Sequence, residues 1–205
     1  LRVHLYDHSG GVVSPCTNID DEPDKYLQIF SCIVFGNLSC IGFDPTIHIL
    51  KHTLRPSSRP IDLTSHKAKI RVNENMYDIL EIIFSNQGLV GRGTVCYLAR
   101  KDGEEYIIKD HWVLGGKTQV LNEISMLKKM EGVRGVPHLV EYWLVESEPD
   151  EVDETRRYRF KTPRSIKGTS RTHVRLVLKP RARPLHQFRS HAELLTAIRD
   201  IVKSK

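Results

Sequence analysis

Gly91-Arg92-Gly93-Thr94-Val95-Cys96-Tyr97-Leu98-Ala99, then Tyr106-Ile107-Ile108-Lys109, then Asn122-Glu123-Ile124 is the stretch on which the fold turns. Lys109 closes an apolar run sixteen residues after Gly93 and fourteen before Glu123. The pattern predicts a glycine turn, a strand ending in lysine, and a helix carrying a glutamate. Glycines let backbone N–H groups approach phosphate without a Cβ in the way. A strand lysine supplies a fixed cation, and a helical glutamate orients it through a charge-assisted pair. Taken singly, Lys109 reads as a solvent-facing strand lysine, Gly91 and Gly93 as a plain hairpin turn, and Glu123 as an exposed helix residue. Their order and spacing together favour phosphate handling.

Working outward, Val95 to Ala99 and Glu105 to Lys109 read as antiparallel strands joined at Lys101-Asp102-Gly103. Gln119 to Met130 reads as a helix, with Val120, Ile124, Leu127 and Met130 on one face. Met76, Ile79, Leu80, Ile83 and Phe84 have helical spacing, whereas Lys69 to Val72 followed by Asn73-Glu74-Asn75 looks like a strand and a turn from which Met76 to Phe84 would pair back; periodicity alone does not decide between them. Leu139 to Val145 and Val174 to Leu178 are further strands, and Ala192 to Val202 is a helix with Leu194, Leu195, Ile198, Ile201 and Val202 on its apolar side. Near the N-terminus, Ser9-Gly10-Gly11 marks a hairpin. Asp20 or Asp21 is expected to cap a helix whose Tyr26, Leu27, Phe30, Ile33 and Val34 form a buried face. Residues 54–65 are expected to be a loop.

The formal net charge of +6 is concentrated between Arg156 and Arg183, which hold eleven Lys/Arg and no acid. Just upstream, Glu146 to Glu154 holds six acids and no base. An acidic block followed by a basic one reads as a solvated, mobile insertion at 146–172. Its rival is a polyanion-binding patch, which a steep salt dependence would reveal. Periodic aromatic interleaving is lacking, which argues against nucleic acid. No run approaches the roughly 18 apolar residues of a membrane span. The four cysteines have no metal-type spacing and are expected to be reduced thiols, in the cytoplasm or nucleus.

The chain resembles the fungal-type protein kinase family over nearly its whole length. The resemblance is carried by Leu5-Tyr6-Asp7-His8-Ser9-Gly10-Gly11-Val12-Val13-Ser14, Gly42-Phe43-Asp44-Pro45-Thr46 and the glycine-turn stretch. It continues through Tyr106-Ile107-Ile108-Lys109-Asp110-His111-Trp112, Asn122-Glu123-Ile124, Gly135-Val136-Pro137, Arg175-Leu176-Val177-Leu178-Lys179-Pro180 and Arg183-Pro184-Leu185-His186-Gln187-Phe188. The glycine turn and the Ile-Lys-Asp-His-Trp segment are the most specific.

The resemblance implies an α+β fold: a kinase N-lobe of twisted antiparallel sheet plus one regulatory-type helix at 67–178, preceded by a family-specific N-terminal α/β element at 1–66. Residues 179–205 would be the hinge and the first long helix of the C-lobe. It implies Lys109 and Glu123 as the catalytic pair, with Gly91, Gly93, Cys96, Ile107, Lys109 and Leu178 around ATP. Lys179 and Arg181 would offer hinge backbone groups to adenine. A complete kinase of this kind uses ATP and Mg to phosphorylate protein Ser/Thr. No metal ligand is assigned within this chain. The glycine turn is about two residues shorter than G-x-G-x-x-G-x-V, Cys96 stands in the valine position, and Ile107 stands where a small alanine is common. Neither His-Arg-Asp nor Asp-Phe-Gly occurs in the 205 residues, and the first residue is not Met. The expectation is therefore a fragment or truncated gene model, inactive alone and prone to self-association. The alternative from another class is a non-catalytic interaction module.

Overall fold

The computed structural model describes residues 1–49, 68–133, 135–159, 170–181 and 187–203. The expected loop at 54–65 lies outside them. A hairpin, β1 (His4–Asp7) and β2 (Gly10–Val13), is followed by α1 (Pro23–Phe35), a short 3-10 turn and β3 (Ile47–Ile49). Next come β4 (Ala68–Val72), β5 (Asn75–Ser85), β6 (Val95–Lys101), β7 (Glu104–Leu114), α2 (Lys117–Lys129) and β8 (His138–Leu144). Two short strands, β9 (Glu146–Glu148) and β10 (Glu151–Val152), precede β11 (Arg171–Lys179) and α3 (His191–Lys203).

Seven strands form one antiparallel sheet in the order β3-β4-β5-β6-β7-β11-β8. The local reasons are visible in the sequence. Asp102 and Gly103 both take positive φ, 51° and 82°, as a two-residue turn matched to strand twist requires. Register shifts between Ile79 and Glu81, and between Ile82 and Phe84, bend β5. The sheet curls until the β4–β5 turn meets β8. There Asn73 Nδ2 donates to Glu141 Oε2 at 2.9 Å, and the Tyr77 hydroxyl donates to the same carboxylate.

Alternation in the strands sends side chains to two cores. One face carries Ile70, Val72, Tyr77, Tyr97, Ala99, Ile108, Trp143 and Val177, all buried. The other carries Val174 and Leu176 against Val120 and Ile124 of α2. This is the helix face expected from the sequence, extended by Leu127.

The inner face of the curl also holds a buried ion network. Arg175 is fully buried. Its Nε donates to Asp110 Oδ2 at 3.1 Å, its Nη1 to Thr46 Oγ1 at 2.6 Å and to the Arg71 carbonyl at 2.8 Å, and its Nη2 pairs with Asp44. His173 sits between Asp110 (2.6 Å) and Asp153 (3.1 Å). Burial alone would push the Asp110 carboxyl up, but the charges of His173 and Arg175 outweigh it and hold the group far below the usual carboxylate range. Burial would likewise depress His173, yet Asp110 and Asp153 raise it to about 9.

Several expectations need correction. α1 is preceded by Glu22, which makes no side-chain cap, rather than capped by Asp20 or Asp21. Its apolar face is not buried: Leu27, Phe30, Ile33 and Val34 are all exposed, because no described element packs over them. The segment after β8 is not simply a solvated insertion. Thr155 and Arg159 are buried, and Asp153 is bonded to His173, so its first half is part of the fold. Residues 160–169 lie outside the described set. In α3, Leu195, Ile198 and Val202 are exposed. β3 was not anticipated; three residues are too few for period-2 alternation to be seen.

The network sets a pH window. His173 is raised when folded, so its contribution is complete below its ordinary value of 6.5 and lost as pH rises through about 9. Asp110 is depressed, so its contribution is present above its ordinary value of 3.8 and lost as pH falls below it. Urea unfolding should show greatest stability between these two values. It should then fall on the order of 3 kcal/mol by pH 9.5, and replacing His173 with Gln should abolish that alkaline slope.

Candidate functional site

β7 divides its side chains between the two faces. Ile108, Asp110 and Trp112 point into the curl, whereas Ile107, Lys109 and His111 point to the side on which α2 packs. Directly opposed residues in neighbouring strands share a face. Cys96 opposes Lys109, Leu98 opposes Ile107, Leu176 opposes Lys109, and Leu178 opposes Ile107. The sheet therefore gathers Cys96, Ile107, Lys109 and Leu178 on one surface.

Glu123 projects from α2 onto this surface and accepts three donors. Lys109 Nζ lies 2.8 Å from Oε1, Arg92 Nη2 lies 3.0 Å from Oε2, and His111 Nε2 lies 3.4 Å from Oε2. The His111 hydrogen bond, with Lys109 adding to it against the opposing effect of burial, holds the Glu123 carboxyl far below its usual range. Burial pushes the His111 imidazole down, more than Glu123 raises it. A neutral ring whose Nε2–H donates to Glu123 fits both directions. It leaves the buried Nδ1 without a partner among the described residues. Burial pushes the Cys96 thiol up, more than the Lys109 charge lowers it.

The glycine turn reaches this surface through Arg92. Gly91 has φ of 121° with open space where a Cβ would stand. Gly93 has φ of 50°, and a Cβ there would lie 2.1 Å from His8 Cε1. Trp112 N–H donates to the Arg92 carbonyl at 2.8 Å and Asn86 N–H to that of Thr94 at 2.9 Å, so both ends of the turn are tied to the chain.

Lys179 and Arg181, expected to serve through their backbone, direct their side chains elsewhere. The side chains of Lys179 and Arg181 pair with Glu104 and Glu81, at 2.5 and 3.7 Å, on the flank of the sheet. Arg92, Leu98 and His111 were missed as members of this surface. His111 was legible: it stands two residues beyond Lys109 in a strand and so shares its face. Arg92 carried no signal beyond its place between two glycines.

Asp44, Asp110 and His173 bring possible ligand atoms within 4.8 Å of one another. Arg175 and the His173 imidazolium already neutralise those carboxylates, so the donor set is unsuited to a cation.

A curled antiparallel sheet whose strand lysine is paired to a helix glutamate that also binds the glycine turn's Arg92 is consistent with a protein-kinase-like fold. The family model described as fungal protein kinase matches residues 1–205, and the chain belongs to that family. No curated protein and no solved structure matches it. Among the described residues, no helix is long and apolar enough to cross a membrane.

The tautomer can be measured directly. Nitrogen chemical shifts of His111 should report a neutral ring protonated on Nε2 at pH 7, titrating below its ordinary 6.5. Replacing Glu123 with Gln removes the carboxylate that raises the ring and should shift its titration lower still.

Proposed function

We propose that this surface binds ATP, and that β5 to β8, β11 and α2 act as the nucleotide-binding lobe of a protein kinase. The observation that carries the reading is the 2.8 Å pair between Lys109 and Glu123 beside the glycine turn, in a chain of the fungal protein kinase family. An ammonium has three donors, and Glu123 takes one of Lys109's. The side chain keeps about a quarter of its exposure, so further donors can reach a phosphate. Glu123, held ionised, fixes the direction of that cation. Gly91 leaves room for close backbone approach. Ile107 and Leu178, both half-buried, offer an apolar surface to a base, with Leu98 buried beside Ile107 and Cys96 opposite Lys109 on the same face. Lys179 ends β11 and Arg181 lies two residues beyond it; their backbone is the proposed edge for adenine.

Bound ATP would bring the γ-phosphoryl group that a complete kinase transfers to a protein hydroxyl. The protein's own contribution here is to bind and orient. The 205 residues contain no His-Arg-Asp and no Asp-Phe-Gly, so neither the base nor the magnesium ligands of that motif set are among them. The polyanion reading has less support among the described residues of 156–183. Arg156, Arg157, Arg159, Arg175, Lys179 and Arg181 are each paired with an acid of this chain. A scaffold that engages partners without phosphotransfer shares the same site geometry. A kinase inactive by itself and such a scaffold differ in whether Lys109 is needed for nucleotide.

Titration calorimetry should find Mg-ATP binding to the 205-residue chain. Replacing Lys109 with Ala should weaken it by at least tenfold, about the 1.4 kcal/mol of one charge-assisted contact. Labelled phosphate should not be incorporated into a generic protein substrate. Binding that ignores Lys109 would remove the nucleotide reading.

A further inference from the structure

The turn between β1 and β2 has a role that the nucleotide reading leaves unassigned. Its residue His8 contacts the glycine turn twice. The His8 carbonyl accepts the Gly91 N–H at 2.9 Å. The His8 imidazole occupies the position a Gly93 side chain would need, with Cε1 at 2.1 Å and Nδ1 at 2.5 Å from that site. The same ring packs on Trp112 at 5.1 Å. Trp112 belongs to the face of β7 opposite Lys109, so His8 presses on the glycine turn from behind. On the front, Arg92 reaches across to Glu123 at 3.0 Å. The turn is thus clamped between a hairpin and α2.

The hairpin is itself anchored. Arg159 Nε donates to Asp7 Oδ2 at 2.7 Å, with the guanidinium buried. The Ser9 and Thr155 hydroxyls lie 2.7 Å apart, and Ser9 N–H donates to Asp7 Oδ1 at 2.7 Å. The segment after β8 therefore grips the hairpin, and the hairpin grips the glycine turn.

We propose that His8 is a positioning residue for the nucleotide site, holding the glycine turn in its binding geometry from the far side of β7. This rests on the ATP reading above. The physical reason is conformational freedom. Glycine loses more of it on ordering than any other residue, and a turn with two glycines would charge that loss to ligand binding. A turn already held by His8 has lost it on folding. The docked hairpin thereby tightens nucleotide binding without touching nucleotide. The glycine at 93 is required by the imidazole behind it, whereas the glycine at 91 faces open space.

The test uses the full 205-residue chain, hydrogen exchange of the amides at 91–94, and calorimetry with Mg-ATP. His8→Ala should speed exchange in the turn and weaken Mg-ATP binding by about tenfold, within the usual span of coupling between two sites. A wild type that binds through Lys109, with His8→Ala equal to it in affinity and exchange, overturns the brace and leaves the nucleotide reading intact. A wild type whose Mg-ATP binding is absent or indifferent to Lys109→Ala overturns the nucleotide reading, and the role given to His8 with it. A second measurement guards against a variant that fails to fold: in His8→Ala the amides of β7 and β11 should keep their wild-type protection, with faster exchange confined to 91–94. Exchange that also speeds throughout β7 and β11 overturns the brace, because the affinity is then lost with the fold rather than with the turn.

Discussion

The buried guanidinium of Arg175 is the constraint on which the other contacts depend. It lies at the centre of the curl, where β11, β7, β4 and the Asp44–Thr46 turn converge. A buried charge left without partners costs several kcal/mol, so each of those segments must be in place together. Its carboxylate partner Asp110 also receives His173, which in turn holds Asp153 from the segment after β8. Removing Arg175 would take the guanidinium from two carboxylates at once, leaving Asp110 with His173 and Asp44 with Thr46. The network therefore specifies which loops close over the sheet, and apolar packing on either side supplies most of the stability.

The same strand that feeds this network also builds the site. β7 places Asp110 and Trp112 on one face, Lys109 and His111 on the other, by simple alternation. The lysine is thus backed by a layer in which Asp110, His173 and Arg175 are paired with one another. A side chain on a strand braced from behind holds its direction better than one on a loop. Glu123 reaches it from a helix whose buried Val120 and Ile124 lock the helix to β11. The two halves of the ion pair come from elements fixed independently of each other.

Much of this was legible. Turn chemistry at Asp102-Gly103, strand alternation around Lys109 and helical spacing around Glu123 are local signals, and the local signals were right. The failures share a cause. The apolar face of α1 promised burial, but periodicity says only that a face exists, not that a partner covers it. The charged run after β8 read as solvated because composition averages over residues. It could not show that Arg159 would meet Asp7, 152 positions away. The two-sided use of the glycine turn was hidden for the same reason, since His8 lies more than eighty residues upstream.

Trp112 lies flat against His173, with ring centroids 4.5 Å apart and planes within 9°, and the His8 ring covers its other approach. With His173 held cationic, the indole is stacked on a charged imidazole that quenches its excited state by accepting an electron. The second tryptophan, Trp143, is flanked by the guanidinium groups of Arg71 and Arg175 instead. Guanidinium is a poor electron acceptor. The two tryptophans are therefore expected to differ in emission, Trp112 dim and Trp143 bright, and the dim one is seated where the hairpin, β7 and β11 meet.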